Sequence, residues 1–192
     1  KKVVLATSNQ SSDEALVELA ELLNVAVFRG SESDVLGRFT SAAQQYSADT
    51  VVRICADNPF IDPSEIDRLV SEFKATPCDY ACNHQNRLDS GYADGFGAEI
   101  VSISLLEDLA KSATKDIHRE HVTLYLWDHQ HKYQLHSVKA PPSLAFPKLR
   151  FDVDSPADLQ RLQVLAEAGV GIKASAKDII QIAQETAFSD VM

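Results

Sequence analysis

The sequence holds no run approaching the roughly 20 apolar residues that span a membrane, and no apolar signal-peptide core follows its first residues. Positive charge is scarce: 18 Lys plus Arg stand against 28 Asp plus Glu, a net charge of -10. Broad binding of nucleic acid or of an anionic membrane is thereby excluded, and a phosphate-rich ligand must meet locally concentrated cationic side chains or a metal ion. Cysteine is sparse and odd in number, Cys55, Cys78 and Cys82. That is no disulfide framework, and it points to a reducing compartment, the cytoplasm. There is no Walker loop and no G-x-S-x-G element, which sets aside P-loop ATPase and α/β-hydrolase chemistry. No internal repeat or low-complexity tract is found. An initiator Met is also missing: Lys1 leads at once into Val3-Val4-Leu5-Ala6, as if cut into from an earlier element.

What is present is one well-buried core's worth of chain, 192 residues at 45% apolar, and we expect a single domain over 1–192. Val3–Ala6 reads as a buried strand. Ser11 and Glu14 form an expected capping box, Leu16, Leu19, Ala20 and Leu23 recur at helical spacing, and Ala26–Phe28 is a second strand. Helical spacing returns over Val35–Tyr46, and Thr50–Cys55 is a β-branched run suited to a central strand. Asp62-Pro63-Ser64-Glu65 opens a helix reaching about Lys74. Gly91, Gly95 and Gly97 punctuate a loop, Glu99–Ser102 is a strand, and Ser104 with Glu107 caps a short helix. Asp116 caps a helix over Ile117–Trp127, and Tyr133–Val138 alternates like a strand. Residues 83–138 read as an insertion. Leu149–Phe151 is a last short strand, Ser155 and Pro156 begin a helix ending at Gly169, and a final helix spans roughly Ser175–Thr186. This alternation predicts an α/β fold with a mainly parallel sheet, whose ligands sit at the carboxyl ends of strands.

Two acidic turns stand at such ends, Ala56-Asp57-Asn58-Pro59 and Asp152-Val153-Asp154-Ser155-Pro156. Each follows a strand and precedes a Pro-started helix, so both emerge on one rim. Carboxylates gathered there suit magnesium, a hard cation that takes oxygen ligands and shares its shell with phosphate and water. Asp and Ser before Pro are also common turn and cap residues, and local chemistry by itself favours that plainer role. Arg53, Arg119 and Arg150 have the guanidinium geometry to clamp phosphate or carboxylate, and each is as well suited to an ordinary ion pair.

Other signals are weaker. Cys78-x-x-x-Cys82 with His84 lacks a fourth ligand at zinc spacing and reads as idle thiols. His118 and His121 share a helix face, and His129, His131 and His136 follow, but without an H-E-x-x-H pattern. Solvated histidines are the expectation. Gly169-Val170-Gly171-Ile172-Lys173-Ala174 fits G-x-G-x-x-A but follows a helix, so it reads as a helix C-cap.

Ala6-Thr7-Ser8, Arg29 through Arg38, Arg53 through Pro63, Asp94-Gly95, Arg119-Glu120-His121-Val122-Thr123 and Asp152 through Pro156 stand in the order seen in the SpsF-like cytidylyltransferases. The chain resembles that family, itself similar to the CMP-KDO and CMP-sialic acid synthetases, from its first residues to about Leu162. The resemblance implies a three-layer α/β/α nucleotide-diphospho-sugar transferase (GT-A-like) fold with a mainly parallel mixed sheet. It implies Asp57 and Asp154 as magnesium ligands, with Asp152 as the extra acid of the sialic acid enzymes; Arg53, by its guanidinium chemistry, is a catalytic candidate beside them. It also places Arg29, Gly30, Asp34 and Arg38 beside the nucleotide or acceptor, and Arg119, Glu120 and His121 on the acceptor-sugar or dimer side; Asp94, Gly95 and Glu99 are further substrate-binding candidates. The family's opening strand and basic Ser-x-Arg-x-Pro-x-Lys loop have no counterpart here. In this fold that strand lies between those matching Val3–Ala6 and Thr50–Cys55, so a segment ahead of Lys1 is expected, without which CTP is not bound productively.

The activity implied is transfer of CMP from CTP to an acidic or cell-surface-polysaccharide sugar, with pyrophosphate released. The implied cofactor is Mg2+, the partners CTP, a sugar acceptor and a second copy of the chain through the segment 94–127. Two other readings stay open on the residues alone. One is a GT-A glycosyltransferase using Asp152-Val153-Asp154 as a D-x-D motif; the other is a non-catalytic nucleotidyltransferase-like binding module.

Overall fold

Strand and helix alternate from the first residues of the computed structural model, in which residues 1–186 and 188 are described. Strand β1 (Val4–Ser8) pairs in parallel with β2 (Ala26–Gly30), Val4 opposite Ala26 and Ser8 opposite Gly30. The crossover between them is α1 (Glu14–Leu22), as a parallel pair requires. The capping box expected of Ser11 and Glu14 does not form. Ser11–Asp13 make a 3-10 turn instead, and the Asp13 carboxylate turns back to the strand end, accepting from Thr7 Oγ1 at 2.6 Å, Ser8 N at 2.9 Å and Ser8 Oγ at 2.7 Å. The strand terminus outcompetes the helix for the acid.

Helix α2 (Val35–Gln45) starts at Asp34, whose side chain accepts from Gly37 N. With β1, α1 and β2 it joins α4 (Ile103–Ser112), α5 (Asp116–Glu120) and α6 (Leu124–Asp128) in a first compact unit, Lys1–Val51 with Val101–Gln134. Leu36, Leu106, Leu109, Val122 and Leu126 are its buried centre. Two helix starts differ from expectation. Ser102, not Ser104, caps α4 by accepting from Leu105 N, and Asp116 is already helical, Lys115 being the residue before it. The single helix expected over Ile117–Trp127 is broken in two, because His121 leaves the helical region (φ -100, ψ 94) ahead of the β-branched pair Val122-Thr123.

The second unit runs Val52–Ile100 and continues from Leu135. Its sheet has the order β3 (Thr50–Arg53), β5 (Glu99–Ser102), β4 (Tyr80–Cys82), β6 (Leu135–Ser137), with β4 and β6 parallel. The strands thus fall in two sheets, β1 in one and β3 in the other. The insertion expected at 83–138 is divided between the units, and the last strand expected at Leu149–Phe151 is only a bridge, Asp94 against Arg150. Helices α3 (Pro63–Ala75), α7 (Pro156–Glu167) and α8 (Ala176–Glu185) complete the unit. Asp62 ties two of them together: one oxygen accepts from Ser64 N and the other from Ala176 N, each at 2.8 Å, so a single buried acid starts both α3 and α8.

Around this frame Leu69, Tyr92, Phe96, Phe151, Leu165 and Ile179 form one continuous core. Each such side chain contributes roughly 2 kcal/mol through buried apolar area. Phe151 is its centre, tilted on Phe96 at 4.6 Å and stacked on Phe188 at 5.1 Å. Residues 152–154 follow directly, so the core anchors the second acidic turn. Among the described residues no helix is long and apolar enough to cross a membrane.

Candidate functional site

The two acidic turns meet. Val153 N donates to the carbonyl oxygen of Asp57 at 2.9 Å, which lays Asp152-Val153-Asp154 beside the turn that follows β3. Proline at the start of α7 and Ser155 at its cap fix the second turn: Ser155 Oγ donates to Asp158 at 2.7 Å and accepts from Asp158 N at 3.3 Å. Burial first, then the charges of Asp154 and Asp152, push the Asp57 carboxyl above its ordinary range, against a backbone hydrogen bond and Arg53. Asp152 moves the other way. Burial alone would raise it, but the Arg150 guanidinium overrides that, donating from Nε to Oδ1 at 3.1 Å and from Nη2 to the other oxygen. The same Nη2 reaches Asp154 Oδ2 at 3.1 Å, and Asp154 stays largely open to solvent.

Among the described residues no three His, Cys, Asp or Glu side chains converge to cage a metal unaided. The donor set nonetheless suits magnesium, which takes one or two carboxylates and leaves the rest of its shell to water and phosphate. A cation between Asp57 and Asp154 would offset the burial and the acidic neighbours that raise Asp57, while Arg150 supplies positive charge to Asp152 and Asp154.

Behind this rim lies a buried polar chain that sequence reasoning saw only in part. Glu99 is 1% exposed; it accepts from Arg53 Nη1 at 2.6 Å and from the Tyr80 hydroxyl. Burial would raise its carboxyl, but His84, Arg53 and Tyr80 together hold it well below the usual range. Arg53, read as a catalytic candidate, is therefore bound to Glu99. Asp94 sits between this chain and the rim. Its amide donates to Leu149 O and its carbonyl accepts from Phe151 N. Burial, with Asp152 and Asp57, lifts its carboxyl to about 6 against the pull of His84 and Arg150. Gly95 has φ +109, and a Cβ there would stand 2.9 Å from Phe151 Cβ; at Gly97 a Cβ would stand 2.3 Å from Asn83 Oδ1. Only glycine lets the Asp94 loop lie this close to its neighbours.

The remaining candidates belong to the first unit. Gly30 ends β2. Arg29 donates to Ser8 O at 3.1 Å and Gln10 O at 2.9 Å and pairs with Glu14. Arg38 donates to Ser31 O at 2.7 Å. Asp34 joins Arg119 in an ion pair, and burial's upward push on its carboxyl is outweighed by that partner and by Gly37 N. Arg119 also donates to Ala110 O, so it braces α4 and α5, while Glu120 and His121 are exposed.

Two expectations about idle groups divide. Burial raises both Cys78 and Cys82, Cys82 to about 11, which keeps them as thiols at neutral pH. His118, expected in solvent, is 3% exposed, with Nε2 2.8 Å from Asp128 and its ring edge-on to Tyr125. His84 and Tyr80 are the residues sequence reasoning missed around Glu99. The signal the sequence carries for them is the polar run Asn83-His84 directly after β4.

Comparison with known proteins gives the family and the fold. The sequence profile of the cytidylyltransferase family matches residues 1–188. An uncharacterized protein of Methanocaldococcus jannaschii is 34% identical over 82% of this chain and 63% of its own length. The spore coat polysaccharide biosynthesis protein SpsF of Bacillus subtilis is 30% identical over 94% of the chain and 73% of its own. Of the two, the first is thus matched over less than two thirds of its length. A cytidylyltransferase structure from Leptospira borgpetersenii superposes with a TM-score of 0.86 at 28% identity, covering 95% of this chain and 76% of that one. The molybdopterin-guanine dinucleotide biosynthesis protein A of Archaeoglobus fulgidus shares the fold at a TM-score of 0.51 and 13% identity, over 84% of this chain and 77% of its own.

Proposed function

Because the chain belongs to the cytidylyltransferase family, we propose that it transfers CMP from CTP to a hydroxyl of a cell-surface-polysaccharide or acidic sugar and releases pyrophosphate. The observation that carries the reading is the contact between the acidic turns, Val153 N on Asp57 O, which brings Asp57 to the Asp152 and Asp154 carboxylates.

In this reading Asp57 and Asp154 hold magnesium, with Asp152 as an auxiliary ligand. Bound there, the ion supplies charge neutralisation at the α-phosphate and leaving oxygens of the nucleotide. Arg150 leaves Asp154 and turns its guanidinium to phosphate, for which its planar fork is suited. Arg53, held by Glu99, keeps positive potential behind Asp57. The acceptor oxygen bonds to the α-phosphorus in line as the bond to the bridging oxygen breaks, and the acceptor proton passes to solvent. Arg29, Gly30, Asp34 and Arg38 are proposed for the nucleotide. In the second unit Asp94 and Gly95 are proposed for the acceptor, with the sealed Glu99 as support behind them; in the first unit Arg119, Glu120 and His121 are proposed for the acceptor or a homodimer.

The test is pyrophosphate release from CTP with magnesium, run across 3-deoxy-octulosonate, N-acetylneuraminate and neutral hexoses, with product mass measured. A CMP-sugar with stoichiometric pyrophosphate is expected. Release of a nucleoside diphosphate from a nucleotide-sugar would identify glycosyl transfer instead, and no metal-dependent CTP heat in calorimetry would leave a binding module.

A further inference from the structure

Beneath the acidic rim of the second unit one imidazole stands between two carboxylates. His84 lies two residues beyond β4, and its carbonyl oxygen accepts from Gly95 N at 3.2 Å, which carries the side chain alongside Asp94. The side chain is 5% exposed. Its Nδ1 is 3.9 Å from Asp94 Oδ1 and its Nε2 3.5 Å from Glu99 Oε1. Neither separation is a closed hydrogen bond, and Nε2 is buried without a hydrogen-bond partner.

The two carboxylates are not equivalent. Glu99 is sealed, and Tyr80 and Arg53 hold its oxygens. Asp94 is 21% exposed along its side chain and faces the rim. A buried ring nitrogen left short of a partner is costly unless its alignment serves something else. Glu99 is the fixed end of this line and Asp94 the adjustable one.

We propose that His84 is a positioning residue for the sugar acceptor. The fixed Glu99 carboxylate, 3.5 Å from Nε2, sets the electrostatic environment on one side of the imidazole, and the Nδ1 side, 3.9 Å from Asp94, holds that carboxylate outward, where it accepts a hydrogen bond from an acceptor hydroxyl. An ionised carboxylate only accepts, so the partner it selects is a hydroxyl or amino donor of a polyhydroxyl compound. This rests on the cytidylyltransferase reading above.

The first test leaves His84 in place and needs no acceptor. Long-range proton–nitrogen correlation spectra of the imidazole are compared between the full chain and its Asp94→Asn variant. The Nδ1 resonance should move clearly while Nε2 moves little; an unmoved Nδ1 overturns the proposal. The second test is kinetic, at saturating magnesium CTP, with whichever of 3-deoxy-octulosonate and N-acetylneuraminate turns over. His84→Ala should raise the acceptor KM roughly tenfold at unchanged CTP KM. His84→Asn, whose amide nitrogen reaches the Nδ1 position, should recover most of it. An alanine variant with the parental acceptor KM, or an asparagine variant no better than alanine, overturns the role. Absence of CTP binding in the parent protein strikes the cytidylyltransferase reading instead, and the spectra still decide whether His84 and Asp94 act as a pair.

Discussion

The amide of Val153 donates to the carbonyl oxygen of Asp57 at 2.9 Å, and this bond joins the two acidic turns of the second unit. It joins backbone to backbone, so it places the two acidic turns side by side whatever the protonation of their side chains. The carboxylates of Asp57, Asp152 and Asp154 then share one region, and Asp57 is raised by burial first and by the charges of Asp154 and Asp152 second.

Replacing Asp57 or Asp154 by Asn keeps shape and removes charge. Magnesium-dependent pyrophosphate release should fall at least about a hundredfold in either variant. Urea unfolding at pH 7 should show Asp57→Asn at least as stable as the parent, since it deletes a charge that its neighbours oppose. Near-parental turnover in either variant would remove these residues from the proposed metal role.

Arg150 stands where a divalent ion would place its charge, on Asp152 and Asp154. Its side chain is 58% exposed, so solvent screens the pairing and it is worth little to stability. Arg150→Ala should therefore unfold at nearly the parental urea concentration yet bind manganese several-fold more tightly in the absence of nucleotide, read by calorimetry. If the nucleotide takes over this guanidinium, the variant should also show a raised CTP KM. Parental affinity for both would show that Arg150 merely decorates the rim.

Much of this was legible in the chain because its signals are local. The strand-helix alternation, the Pro-started helices after Asp62 and Ser155, and the acids that follow strands each depend on a few adjacent residues. What the sequence hid depends on how side chains turn back on folding. Asp13 is claimed by Thr7 and Ser8, close in sequence but on the preceding strand end, and Glu99 is buried by the distant Arg53 and Tyr80. Histidine 118 looked solvated because the break at His121, which folds Asp128 back onto it, comes from tertiary packing overriding helical spacing. The turn contact between Val153 and Asp57 was the exception: fold-level reasoning about strand ends could anticipate it.

Gly95 tests the loop that carries Asp94. An alanine there needs φ +109 and brings its Cβ to 2.9 Å from Phe151 Cβ and 3.1 Å from its carbonyl carbon, which the core cannot yield cheaply. Gly95→Ala should cost about 2–3 kcal/mol, seen as a lower urea midpoint at unchanged slope. Gly171→Ala, with nothing within 4 Å of the added carbon, should stay within about 0.5 kcal/mol of the parent. Similar losses at both positions would mean that the Asp94 loop is not held by this close approach.

Asp94 carries the pH signature of the site. Its carboxyl rises from 3.8 to about 6 on folding, through burial first and the neighbouring acids second. The folded chain thus binds this proton more tightly than the unfolded one. Its contribution is favourable below about pH 4 and is lost as pH climbs through 6, a change of at most about 3 kcal/mol. Asp94→Asn cannot ionise and escapes that loss. It should match the parent in urea at pH 4 and exceed it by about 1–3 kcal/mol at pH 8. A stability difference that does not change between the two pH values would show that Asp94 ionises in the folded protein as it does in the open chain, and that the burial and acidic neighbours assigned to it here do not act on its charge.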